Sequence, residues 1–153
     1  MHKVNHLKLE FDSLPENVSL ARVVVASFAA QSDITISELE ELKVATSEAV
    51  SNAIIHGYLN SAHGKVVLEL VREGDTLVMV VEDFGVGITD IEQAIQPSFS
   101  TDPDRMGLGF VFMKSFMDDL NIESVPGKGT RISMQKKLPN ITLIAESNGN
   151  GKA

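Results

Sequence analysis

The segment HLKLEFD, residues 6–12, alternates polar and apolar side chains as an edge strand does. SLPENVSLARVVVASFAAQS, residues 13–32, opens with a serine cap and a proline and continues as an apolar helix. A second helix is expected from about Ile36 to Tyr58. Its opening, TISELEEL, carries acidic residues suited to the positive end of a helix dipole, and Gly57 stands where a helix would stop. KVVLELVRE and TLVMVVEDF are β-rich runs on either side of Gly74 and Asp75 and predict a hairpin. From Gly85 to Gly109 the chain is rich in Gly, Pro, Ser and Asp and reads as a loop with at most a short helix at IEQAIQ. LGFVFMKSFMDDL, residues 108–120, returns to helical spacing, and NIESVPGKGTRISMQKKL, residues 121–138, predicts a last hairpin.

This order gives an α+β layout: a two-layer sandwich of a mostly antiparallel sheet with helices on one face. One domain is expected over residues 1–140, with residues 141–153 a flexible polar tail. The long glycine-rich interruption is the anomaly, because loops of about 20 residues inside a compact domain are usually functional or disordered.

Composition narrows the classes. With 153 residues, 43% apolar and 22% charged, the chain is long enough for a core without staples, and it has no cysteine. No apolar run approaches the roughly 20 residues that span a bilayer, and MHKVNHLKLEFD lacks the pattern of a secretory signal, so a cytoplasmic protein without a membrane partner is expected. The net charge of -8, from 13 basic and 21 acidic residues, argues against direct nucleic-acid binding. A protein partner fits better, although acidity also serves solubility alone.

Within the second helix, Glu48, Asn52 and His56 fall at i, i+4 and i+8, in one narrow polar arc. Leu39, Leu42, Thr46, Ala49, Val50, Ala53 and Ile54 form the opposite, core-facing arc. Val44 and Ile55 flank the polar stripe, so it is expected to be covered; by itself the stripe also reads as a solvated helix face. Three further motifs follow. Asp83, Gly85 and Gly87 end a strongly apolar strand, placing an acceptor beside backbone that a flat ring or a phosphate can approach. Gly107 and Gly109 lead into a helix whose free N–H groups suit an anion. GKGT, Gly127 to Thr130, closes the last hairpin. Each has an ordinary structural reading when taken alone: a glycine turn, an unliganded helix start, a tight hairpin.

The ordered set resembles the Bergerat-type ATP-binding fold shared by gyrase, the Hsp90 chaperones, histidine kinases and the MutL mismatch-repair proteins. ARVVVASFAAQ, SEAVSNAIIHGY, GVGITDIEQAIQPSFST and FMDD further resemble the sporulation anti-sigma-F factors, SpoIIAB-type serine protein kinases, over residues 6 to about 138. The resemblance implies ATP or ADP as nucleotide, Mg2+ held by Asn52, adenine read by Asp83 with Thr130 in support, and a lid from about Glu92 to Gly107. Gly85, Gly87, Gly107 and Gly109 would border the nucleotide, and His56 would contact phosphate or serve structure only. It implies a homodimer that inhibits a sporulation sigma factor, sigma-F, and phosphorylates a serine of an anti-anti-sigma protein.

A serine hydroxyl is a poor nucleophile near neutral pH, so the transfer needs a base. Glu48 matches the family's catalytic glutamate. Arg105 would bring positive charge to the γ-phosphate; Arg22 matches an arginine that contacts protein partners, with snorkelling along its helix as the plain alternative. The chain departs from the family pattern at Ser51, Phe84 and Asp102, and STDPDRMG is shorter than its counterpart, which bears on lid contacts. The alternatives are a stress-response anti-sigma kinase, a histidine-kinase catalytic domain, for which no sensor or phosphoacceptor region precedes residue 6, and a non-catalytic ATP-switched binding module. Glu48 separates a kinase from the last, since a pure switch needs no base there.

Overall fold

The computed structural model describes residues 3–96 and 106–138. Strand β1 (Val4–Asp12) is followed by helices α1 (Asn17–Ala29) and α2 (Ile36–Asn52), and α2 runs into a π-helical turn at Ala53–Gly57. Strands β2 (Lys65–Glu73) and β3 (Thr76–Asp83), the short helix α3 (Ile91–Ala94), helix α4 (Met106–Phe116) and strands β4 (Asp119–Val125) and β5 (Gly129–Lys137) complete it. The strands form one antiparallel sheet in the order β1-β2-β3-β5-β4. The α+β sandwich expected from the pattern is the observed architecture.

Alternation decides which face of the sheet is covered. Val66, Leu68 and Leu70 of β2, Leu77, Met79 and Val81 of β3, and Ile132 and Met134 of β5 point the same way and are buried. They meet Ala21, Val25 and Phe28 of α1, Leu42, Ala49 and Val50 of α2, and Phe110 and Met113 of α4 in one core. Leu39 packs at its margin. Helix α2 begins at a capping box: the Glu38 N–H donates to Thr35 Oγ1 at 3.1 Å, and the Thr35 N–H donates to Glu38 Oε2 at 2.9 Å. The Thr35 N–H, together with the Thr35 hydroxyl 3.0 Å from Glu38 Oε2, holds the Glu38 carboxyl below its ordinary range.

Three boundaries differ from the sequence reading. Helix α1 starts at Asn17, without a side-chain cap; Ser13 instead stitches the loop after the π-turn, donating to the Ser61 carbonyl at 2.6 Å and accepting from the Gly64 N–H at 3.0 Å. The second helix is not α-helical to Tyr58: its last turn widens to i→i+5, as in the Tyr58 N–H donating to the Ala53 carbonyl at 2.9 Å. Helix α4 ends at Phe116, not at Leu120, because β5 captures its exit. Lys136 Nζ donates to the Phe116 carbonyl at 2.8 Å, and Asp118 Oδ2 accepts from the Lys137 N–H at 2.7 Å. Asp119 and Leu120 thereby begin β4.

Candidate nucleotide site

At one end of the sheet the core face turns from apolar to polar, in register across three strands. Asp83 of β3 lies opposite Thr130 of β5, and Thr130 lies opposite Ser124 of β4. Behind them on the same strands come Val81, Ile132 and Ile122, the ordinary inward apolar series. An aspartate in such a row is costly to bury unless it is hydrogen-bonded. Asp83 is only 5% exposed, and its Oδ1 accepts the Gly85 N–H at 3.0 Å. Burial pushes the carboxyl above its usual range; N–H groups of Gly85 and Thr130 oppose that shift, and Glu82 adds to it.

The backbone around Asp83 is held close on all sides. The Val86 N–H donates to the Gly57 carbonyl at 2.9 Å, and a Cβ on Gly85 would stand 2.0 Å from that carbonyl oxygen. Gly129, at φ +124°, lies so near the Asp83 carbonyl that a Cβ would meet it at 2.0 Å. Tyr58, leaving the π-turn, donates its hydroxyl to the Lys65 carbonyl and accepts the Phe84 N–H at 2.8 Å. The strand end carrying Asp83 is therefore locked to the end of the second helix.

A recess opens on this arrangement, lined by Asn52, His56, Gly57, Asp83, Gly87, Ile88, Phe110, Thr130 and Ile132. Asn52, His56, Asp83 and Thr130 supply its polar lining, and Ile88, Phe110 and Ile132 an apolar wall. Asn52, His56, Asp83, Gly87 and Thr130 of the sequence reading are thus brought together, and Gly85 holds the Asp83 carboxylate from behind.

Glu48 stands one helical turn before Asn52, with its carboxylate directed toward α4. Its Oε2 lies 2.8 Å from the point where a Cβ on Gly109 would be, and the Asn52 amide atoms lie 3.7 Å from that point. Burial raises the Glu48 carboxyl above the ordinary glutamate range. Among the described residues, buried Asn52 Nδ2 has no hydrogen-bond partner. Turning the amide over exchanges its nitrogen and oxygen and presents the carbonyl oxygen at that position, as a cation ligand would require. Among the described residues no three His, Asp or Glu side chains cluster for a metal. A cation here would take one amide oxygen plus ligands from outside the protein, which is magnesium's habit beside phosphates. The unpartnered amide, the glycine clearance at Gly109 and the apolar wall fit a nucleotide with its magnesium.

Gly107 and Gly109 lie inside α4, which is helical from Met106 rather than from Leu108. A Cβ on Gly107 would meet the Gln96 carbonyl at 2.3 Å, so this glycine serves close backbone contact with the segment after α3. Arg22 is exposed on α1, away from the recess. Arg105 and Asp102 lie outside the described residues, as does most of the expected lid. Sequence reasoning missed Ile88, Phe110 and Ile132 as wall, Tyr58 as clamp, and Ser124. Only Ser124 left a signal, a hydroxyl at the third inward position of the series Leu120, Ile122, Ser124.

The family model of the histidine kinase-like ATPase domain matches residues 11–136. An anti-sigma F factor of Bacillus subtilis strain 168 is 50% identical over 136 residues, 88% of this chain and 93% of the relative. One from Clostridium acetobutylicum is 49% identical over 135 residues, 87% of this chain and 94% of the relative. Among solved structures, the histidine kinase domain of a blue-light activated kinase from Erythrobacter litoralis superposes with a TM-score of 0.54 at 20% identity, covering 81% of this chain and 60% of that one. The last likeness concerns the fold.

Proposed function

The chain belongs to the anti-sigma F factors within the histidine kinase-like ATPase family, and we propose that it inhibits sigma-F and phosphorylates a serine of the anti-anti-sigma antagonist. It is an ATP-dependent protein serine kinase as well as an inhibitor. The observation that carries the catalytic half of this reading is Glu48: a carboxylate with raised basicity, one turn from Asn52 and facing the glycine clearance of α4.

Magnesium-ATP supplies the transferable γ-phosphoryl group and part of the charge neutralisation that phosphoryl transfer needs. Asn52 offers its amide oxygen to the cation. Asp83 accepts from the exocyclic amine of adenine, which returns hydrogen bonding to a buried carboxylate, and Ile88, Phe110 and Ile132 receive the ring. Glu48 takes the proton of the incoming seryl hydroxyl as its oxygen bonds to phosphorus and ADP departs. A carboxyl raised by burial is better matched to that step than a solvated one, provided it is ionised when the serine arrives. Gly109 leaves the room in which Glu48 and the substrate meet. Arg105 is assigned the charge at the γ-phosphate, His56 a phosphate contact, and Arg22 a partner contact on α1, outside the recess. The active form is a cytoplasmic homodimer.

Incubation with magnesium-ATP and a candidate anti-anti-sigma protein, followed by intact-mass measurement, tests the reading. A gain of one phosphate on a serine is expected. Capture of sigma factor without any mass gain would instead identify a non-catalytic, ATP-switched module.

A further inference from the structure

Ser124 belongs to none of the motifs above, yet its hydroxyl touches three groups of the site. The Ile88 N–H donates to Ser124 Oγ at 2.7 Å, the Gly129 carbonyl lies at 3.0 Å, and Thr130 Oγ1 lies at 2.8 Å. A serine hydroxyl has one proton to give and two lone pairs to share. The Ile88 N–H can only donate and the Gly129 carbonyl can only accept, whereas the Thr130 hydroxyl is able to do either. All three bonds are made together in a single way: Ser124 gives its proton to Gly129, and Thr130 gives its own to Ser124.

The proton of Thr130 is then committed to Ser124, which leaves only lone pairs on a residue that pairs with Asp83 across the strands and lines the same recess. We propose that Ser124 is a specificity-determining positioning residue: it fixes Thr130 as an acceptor, so that Thr130 and Asp83 together admit an amino group and reject a keto oxygen. This rests on the adenine-site reading above and adds its polarity. Adenine carries an exocyclic amine where guanine carries a carbonyl oxygen, and two acceptors facing that oxygen have nothing to offer it. By accepting from Ile88, the same hydroxyl holds the chain just beyond Gly85 and Gly87 against β4. Without Ser124, the Thr130 hydroxyl is released to turn its proton into the recess.

The test is calorimetric titration of the full chain with magnesium-ATP and magnesium-GTP, using Ser124→Ala, Ser124→Thr, Thr130→Val, the double variant Ser124→Ala/Thr130→Val, and Asp83→Asn. Ser124→Ala is expected to reduce the ATP-over-GTP affinity ratio about tenfold, the scale of one hydrogen bond. Ser124→Thr, which keeps the hydroxyl, should preserve the ratio, and Ser124→Ala should add nothing in the Thr130→Val background. A merely structural serine would lower the melting temperature and leave the ratio alone. Should Ser124→Ala fail to fold, the nearly isosteric Ser124→Cys, a weak donor and acceptor, is read in its place. A ratio that drops with Thr130→Val but not with the Ser124 variants, or effects that add in the double variant, overturns the inference. Ratios unchanged in Thr130→Val and Asp83→Asn alike overturn the adenine-site reading itself.

Discussion

Glu48 and Gly109 face each other across the contact between α2 and α4, so closely that a single methyl on Gly109 would stand 2.8 Å from the Glu48 carboxylate. The atom it would meet is the end of a flexible side chain, which moves at little cost to the fold. Gly109→Ala should therefore fold with near-parental stability while displacing Glu48. Phosphotransfer is expected to fall at least tenfold, with kcat affected more than nucleotide affinity, since misplacing a reacting group by an ångström carries such a cost. Parental kcat in a folded Gly109→Ala protein would show that the clearance has no part in the reaction.

Glu48→Gln removes the proposed base but keeps the shape. Phosphotransfer should drop by about 10² or more, while ATP binding and sigma-factor capture survive. Burial raises the Glu48 carboxyl, so parental activity should be lost as pH falls through that raised pKa, at a higher pH than a solvated glutamate would give. The residual activity of Glu48→Gln should lack this acid limb. Single-turnover phosphorylation across pH decides the point; near-normal turnover would eliminate Glu48 as the base.

Asp83→Asn replaces part of the acceptor proposed to face the adenine amine by a donor, and selectivity for ATP over GTP should be lost in calorimetric titration. Stability should respond in the other direction. A folded-state pKa above the unfolded one means that the folded protein binds the extra proton, so this group's contribution to stability falls as pH rises from the unfolded toward the folded pKa. Removing the charge relieves that burden, and nucleotide-free Asp83→Asn should melt no lower than the parent near neutral pH. A large drop in melting temperature would mean that the carboxylate chiefly anchors Gly85.

Stripping magnesium with EDTA should abolish phosphotransfer and only weaken ADP binding, because the adenine contacts proposed at Asp83 and Thr130 need no metal. Asn52→Ala should reproduce the EDTA result with magnesium present. Full activity in EDTA would remove Asn52 from the metal role.

Arg22→Ala should weaken association with sigma factor or anti-anti-sigma protein and leave nucleotide affinity unchanged, as expected of an exposed residue on α1. Binding titrations with partner and with ATP separate the two effects. Collapse of nucleotide affinity in a folded variant would reverse the division of labour.

Strand periods, the hairpin at Gly74, the acidic opening of α2 and the arc holding Glu48, Asn52 and His56 were all legible in the sequence, because each is set by neighbours within a few residues. The motif glycines were legible too, but not what each one clears: Gly109 clears the Glu48 carboxylate, while Gly107 clears the Gln96 backbone. The π-turn at Ala53–Gly57 left no mark in the pattern, since it is locked by the Gly57 carbonyl meeting Val86 and by Tyr58 reaching Phe84, contacts made with the chain after β3.

By itself the sequence determined that Asp83 ends an apolar strand and that Thr130 follows a glycine turn, and it showed Ser124 only as a hydroxyl in an alternating run. Only the tertiary structure decided that these three stand in one row. Inserting β5 between β3 and β4 puts Asp83 opposite Thr130 and Thr130 opposite Ser124, and that order is chosen by burying Met79, Ile132 and Met134 beneath the helices. A slip of one residue would turn that apolar set to the outer face of the sheet. The physical reason is range: periodicity records what each segment buries, whereas strand order and register record which segments bury it together.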